Sequence, residues 1–278
     1  MRLAISNIAW DIAEDEAIAT LLQRHGVDAI DIAPGKYFPQ PAQATNADIR
    51  LIKDWWAARA IEITGMQALL FGTSGLNVFG TSEVQVALLK HLDAVCRIGG
   101  ELGAKRVVFG SPKNRDRSGL NDVEAMAAAV SFFRRLGDIA DSHGVIMCLE
   151  PNPPCYGANF MTTSAETAQV VAQIDHPAIR MQFDTGAMAI NSEDPGAVLR
   201  ECATLIGHIH ASEPNLLPLG DGDTDHAKMA EALMKFLPDH LVTIEMVATQ
   251  NEPHLVSLER ALGVAIGHYR RNAERQRA

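Results

Sequence analysis

The chain has 278 residues, 47% of them hydrophobic and 21% charged, with a formal net charge of -10, a composition ordinary for a soluble globular protein. Lys and Arg are concentrated only near the end, at Arg270, Arg271, Arg275 and Arg277, so the charge disfavours nucleic acid as a partner. The N-terminal segment lacks the apolar stretch of a signal peptide and no run reaches the length of a membrane helix, so no membrane partner is expected and a cytoplasmic address is the default.

The elements alternate from the start. Residues 3–6 read as a first strand, and residues 14–25 as a helix closed by Gly26. Residues 29–32 are a second strand, and a helix over 46–60 leads to a third at 62–67. A glycine-rich loop over 71–81 precedes a long amphipathic helix over 83–102. Residues 106–110 form the fourth strand, followed by the basic loop Lys113, Arg115 and Arg117. The next helix opens with Asn121 as N-cap and ends at Gly144.

The run Val145-Ile146-Met147-Cys148-Leu149 is apolar throughout, as in a parallel strand buried on both faces, and it stops at Glu150 and three nearby prolines. Glu150 is therefore expected as the last strand residue. After a helix over 164–174 come strands at 179–184, 205–210 and 241–245, with helices over 195–203, 225–236 and 254–271. Eight strands alternating with eight helices, without a linker or composition shift, predict one (β/α)8 barrel over residues 1–278. A doubly wound open sheet is the runner-up, but the turn after strand one has no Gly-rich phosphate cradle, and no P-loop occurs.

Strands five to eight then end in Glu150, Asp184, His210 and Glu245, a metal-competent residue on each, at the barrel rim where such folds carry their chemistry. Three carboxylates and an imidazole suit an octahedral divalent ion such as Mn²⁺, Co²⁺ or Mg²⁺. Singly, each acid is equally well a helix cap or loop anchor; four consecutive strands ending this way favour the ion. His208, two residues before His210, reads as a core histidine satisfied by a neighbour. The cysteines Cys96, Cys148, Cys155 and Cys202 are scattered, which disfavours disulfides and a zinc knuckle.

The segments Leu149-Glu150-Pro151-Asn152, Phe183-Asp184-Thr185-Gly186, Gly207-His208-Ile209-His210-Ala211-Ser212-Glu213 and Thr243-Ile244-Glu245-Met246 resemble the metal-ligand segments of the xylose-isomerase-like barrels. More narrowly they resemble the sugar phosphate isomerase/epimerase group that includes the ketose 3-epimerases. The resemblance covers essentially the whole chain and implies a sugar isomerase or epimerase, a small-molecule carbohydrate substrate, and a homodimer or homotetramer. It implies that Glu150, Asp184, His210 and Glu245 bind the metal, with Glu150 and Glu245 also acting as base and acid through a metal-stabilised enediolate.

Three positions depart from that pattern. The substrate-contacting histidine after the Asp-Thr pair is Ala187, the arginine downstream of the strand-seven histidine is Leu216, and the carboxylate a turn beyond the strand-five ligand is Tyr156. These point away from a free ketose and leave metal-assisted chemistry on a polyol or keto-acid in place. Substrate binding is expected at Gln67, Lys113, Arg115, Asn152, Tyr156, Glu213 and His226. Lys113 and Arg115 suit a phosphate or carboxylate, or else form a solvated loop, and His226 lies on a loop over 219–226 able to close the mouth. Trp10 reads as packing in preference to a sugar platform.

The alternatives are a metal-dependent dehydratase or lyase of a keto-polyol or keto-acid, and a non-catalytic sugar-binding barrel. The apurinic-endonuclease branch of these barrels requires further zinc-binding histidines and a basic surface, and the strand-three end and the net charge offer neither.

Overall fold

Short runs with an apolar majority, such as Val107–Phe109 and Met147–Leu149, suit a sheet covered on both faces, and the chain closes eight strands into a ring. The computed structural model describes residues 1–270; Arg271, Arg275 and Arg277 of the basic tail lie outside the described residues. The strands are β1 Arg2–Ser6, β2 Ala29–Ile32, β3 Glu62–Met66, β4 Arg106–Phe109, β5 Ile146–Leu149, β6 Ile179–Asp184, β7 Ile206–Ser212 and β8 Leu241–Glu245. Every neighbouring pair is parallel, and β1 pairs with β8 over Arg2–Ile5 to close the barrel.

The helices are α1 Asp15–Arg24, α2 Pro34–Tyr37, α3 Asn46–Ala57, α4 Ser82–Leu102, α5 Asp122–Ser142, α6 Ser164–Ile174, α7 Thr185–Ile190, α8 Pro195–Cys202, α9 His226–Phe236 and α10 His254–Tyr269. Among the described residues, no helix is long and apolar enough to cross a membrane. Side-chain caps fix several starts: Asn121 accepts from Glu124 N while the Glu124 carboxylate accepts from Asn121 N, and Asp225 caps α9. The layer between barrel and helices is filled by buried residues such as Phe109, Phe132 and Phe133, whose rings meet edge to face.

Strand ends differ slightly from expectation. Glu150 stands one residue beyond β5, because Pro151 and Pro153 carry no N–H for a ladder, whereas Asp184 and Glu245 are the last residues of their strands. His210 is internal to β7, which runs on to Ser212 and pairs it with Glu245. The short α2 and α7 have no counterpart in the sequence reading.

A buried polar cluster occupies the barrel interior. Asp31 on β2 accepts from Thr64 and Thr243, its Oδ2 is 2.8 Å from His208 Nε2, and His208 Nδ1 faces Gln182 Oε1 at 3.1 Å. His208 is thus a satisfied core side chain, as the sequence reading has it, and its ring meets His210 edge to face at 5.0 Å.

Candidate active site and metal centre

Parallel register brings the four rim residues together. Asp184 on β6 is opposite His210 on β7, and β8 places Glu245 beside Ser212. His210 Nδ1 lies 3.2 Å from Glu150 Oε1, 3.2 Å from Glu245 Oε2 and 3.8 Å from Asp184 Oδ2. One donor atom from each of the four residues falls within 4.8 Å of the others, and all four residues are buried.

Among the described residues, no Lys or Arg pairs with these three carboxylates; His210 is their only basic partner. Burial, then the charges of Glu245 and Glu150, push the Asp184 carboxyl well above the usual carboxylate range. Burial alone would lower the His210 pKa, but the neighbouring Glu245 and Glu150 outweigh it and raise it well above the ordinary imidazole value. For Glu245 burial is likewise outweighed, by His210 and by a hydrogen bond from Gln67, and its pKa falls. Three carboxylates facing a single imidazole fit a divalent cation, with oxygen donors in the majority.

Neighbours aim each carboxylate. Asp184 Oδ1 accepts from Ala187 N at 2.6 Å, which starts α7, and Oδ2 accepts from Ser212 Oγ at 2.9 Å. Glu245 Oε1 accepts from Gln67 Nε2 at 2.6 Å, and Glu150 Oε2 from Asn152 Nδ2 at 3.1 Å. Gly110, just past β4, leaves the space Glu150 needs: a Cβ there would lie 2.0 Å from Glu150 Oε2. Such second contacts fix ligand orientation and raise donor basicity.

The cluster lies at a cavity of about 1250 Å³ in the barrel mouth. Of the residues singled out in the sequence, Gln67, Lys113, Glu150, Asn152, Tyr156, Asp184, Glu213 and Glu245 line it. His210 is fully buried beneath. The Tyr156 hydroxyl accepts from Asn215 N at 2.7 Å, tying the loop after β5 to the loop after β7.

Two expectations are corrected. Arg115, read as a substrate-facing cation, is fully buried behind the site and donates through Nη1 to the Glu150 carbonyl at 2.6 Å, because its short helical turn carries the side chain inward. His226 does not face the cavity: Nε2 is 3.0 Å from Glu213 Oε1 and Nδ1 2.6 Å from the Tyr269 hydroxyl. Glu213 uses its carboxylate on the same loop, accepting from Gly220 N and Thr224 N, and these bonds with that to His226 outweigh burial and hold its pKa down at about 2. The loop over 219–226 is thereby pinned to the rim.

Sequence reasoning passed over the outer wall. Phe71, in the glycine-rich loop after β3, lines the cavity with 86% of its surface exposed, and Leu216 lines it from a left-handed backbone (φ 54°) held by Val247 N at 3.0 Å. A left-handed leucine is strained, a conformation that clusters at functional sites. Trp10, by contrast, is fully buried and donates to Asp15.

Comparison with known proteins places this geometry. The chain is 29% identical over 105 residues to D-psicose 3-epimerase of Ruminiclostridium cellulolyticum, a match spanning 38% of this chain and 36% of that relative. The crystal structure of D-psicose 3-epimerase from Clostridium cellulolyticum H10 with D-tagatose superposes with a TM-score of 0.81 at 18% identity, over 97% of this chain and 99% of that one. The apo structure of 3-keto-D-glucoside 4-epimerase from E. coli gives 0.79 at 17% identity, over 95% and 98%. The model of the Xylose isomerase-like TIM barrel family matches residues 19–266, which with the closed eight-stranded barrel establishes that the chain belongs to that family.

Proposed function

We propose that the protein is a divalent-metal-dependent sugar epimerase or isomerase, with Glu150 and Glu245 as the proton-transferring pair. The observation that carries this reading is the convergence of four donor groups from β5 to β8 within 4.8 Å of one another, at the cavity in the barrel mouth and with no Lys or Arg in an ion pair with them among the described residues. Glu150, Asp184, His210 and Glu245 would hold the ion. When bound it supplies Lewis-acid polarisation of a carbonyl next to the reacting carbon.

The chain's own groups do the rest. One of the two glutamates removes the proton from the carbon beside the carbonyl; the C–H electron pair moves into the carbon skeleton and onto the carbonyl oxygen, giving an enediolate. The other glutamate, protonated, returns a proton to the opposite face, inverting that carbon, or to the neighbouring carbon, moving the carbonyl. No oxidant or reductant is consumed. Asp184, held by Ala187 N and Ser212 Oγ, is a ligand only.

Similarity to D-psicose 3-epimerase in sequence, and to that enzyme and a keto-glucoside epimerase in fold, supports the reaction class without choosing the sugar. The oxygen-rich donor set favours Mn²⁺, Co²⁺ or Mg²⁺. The unpaired cysteines, Cys155 exposed among them, fit a reducing, cytoplasmic setting, and the family resemblance supports a homodimer or homotetramer.

A second reading is a lyase: the same base removes the proton beside the carbonyl of a keto-polyol or keto-acid, and the electron pair expels hydroxide from the next carbon; the observation favouring it is that Ala187 and Leu216, which line the cavity, carry no polar group there. Incubating Mn²⁺-loaded protein in D₂O with ketoses, sugar phosphates and keto-polyols, followed by NMR, separates the two. Deuterium at one carbon with an isomer appearing supports the epimerase; loss of water moves the assignment to a dehydratase; ligand binding without exchange or product leaves a binding protein.

A further inference from the structure

The cavity is larger than its chemistry requires. Pockets for drug-sized ligands run from roughly 300 to 1,000 Å³. This one measures about 1250 Å³, and a single sugar ring at the carboxylate cluster would leave most of it empty. The surplus extends away from β5–β8, over residues 71–76 after β3 and 111–114 after β4.

That outer part is walled by a supported structure. Asn114 Nδ2 donates to Leu76 O at 2.8 Å, Val78 N donates to Asn114 O at 2.8 Å, and Ser111 Oγ donates to Asn114 Oδ1 at 2.6 Å, so the two loops form one surface. Upon it stand Phe71, 86% exposed and without an aromatic partner among the described residues, the exposed Ser74, and Lys113, which joins no ion pair among the described residues. An exposed aromatic ring in the same chamber as a hydroxyl and an ammonium donor suits the surface of a pyranose: C–H groups on its face, hydroxyls on its rim. A water-exposed phenylalanine has no folding reason to line a cavity.

Resting on the proton-transfer reading above, we infer that the substrate is a keto-sugar carried as a glycoside, with the reacting ring at Glu150, Asp184, His210 and Glu245 and a second sugar ring stacked on Phe71. The inner wall agrees. Ala187 and Leu216 offer no hydrogen bonds to a polyhydroxylated open chain, whereas a closed ring presents apolar faces to such a wall.

The test compares a hexopyranose oxidised to a ketone on a ring carbon with the same ring in a glucosyl disaccharide, using the Mn²⁺-loaded enzyme. Wild type should favour the disaccharide by about tenfold or more in kcat/KM, expressed in KM. Phe71→Ala should lose most of that preference, and Phe71→Trp should keep it. In parallel, calorimetry with the corresponding unoxidised sugars, which cannot react, reads the second-ring site independently of chemistry. Stronger binding of the disaccharide that depends on Phe71, without deuterium exchange on either ketone, would uphold the subsite and remove the proton-transfer reading. Equal kcat/KM for the two ketones, a preference untouched by Phe71→Ala, or failure of either unoxidised sugar to bind would overturn the inference. So would a shift from oligomer to monomer on Phe71→Ala, since the ring would then be a subunit contact.

Discussion

Gln67 Nε2, one residue beyond β3, lies 2.6 Å from Glu245 Oε1 at the end of β8, so a neutral amide from across the barrel aims a carboxylate of the four-residue cluster. A lysine in that place would neutralise the carboxylate and compete with a cation; an amide orients it and leaves its charge available. The buried Gln67 Oε1 has no hydrogen-bond partner among the described residues. Gln67→Leu should lower kcat or metal affinity by about 10- to 100-fold at little cost in stability. Turnover and metal titration read this together, and no change in either would remove the amide from the site.

Glu245→Gln should reduce turnover by at least about 100-fold, the lower end of what a positioned acid or base contributes, while metal remains bound through Glu150, Asp184, His210 and the new amide oxygen. Metal content by elemental analysis and deuterium exchange by NMR check the two halves. Retained activity in a metal-loaded variant would take Glu245 out of proton transfer.

Removal of metal should destabilise as well as inactivate. Chelation followed by dialysis should lower Tm, and an ion restored at 100 times its Kd should return about 2.7 kcal/mol. His210 and Asp184 both have raised pKa values and must be unprotonated to serve as ligands, so affinity should rise with pH. Calorimetric titration of wild type and His210→Ala across the neutral range checks the sign; a pH-independent affinity would count against these two ligands.

The Glu213 carboxyl titrates at about 2 in the folded chain against an ordinary 4.5. Because the folded pKa is depressed, its contribution is fully present above pH 4.5 and is lost as pH falls toward 2. The stability of wild type should therefore fall across that interval more steeply than that of Glu213→Gln, which should be less stable at neutral pH because one acceptor is lost to Gly220, Thr224 and His226. Parallel pH profiles for the two proteins would show the carboxylate to be idle.

Much of the barrel was legible because a strand buried on both faces has no polar alternation: Val107–Phe109 and Met147–Leu149 declare themselves by apolar continuity and by the glycine, acid and prolines that end them. The four rim residues were legible for the same reason, as each interrupts or follows such a run. The short α7 was not, since six residues show no period and the Asp184 side chain that caps it reads first as a ligand. Nor was the inward turn of Arg115, which depends on three-dimensional burial and not on charge pattern. The Asp31–His208 pair joins β2 to β7 across the barrel, and no local signal announces a contact of that separation. Phe71 lay hidden in a glycine-rich loop, where sequence does not say whether an aromatic ring packs or waits for a ligand.

The titratable groups of the cluster all descend from β5 to β8, whereas the outer chamber is built by the loops after β3 and β4, joined to each other through Asn114. On the proposed function, the barrel divides into a half that reacts and a half that chooses. A library confined to residues 71–76 and 111–113, sparing Asn114, would redraw which molecules enter while the proton-transfer apparatus stays constant, so such a scaffold can acquire a new diet without relearning its chemistry.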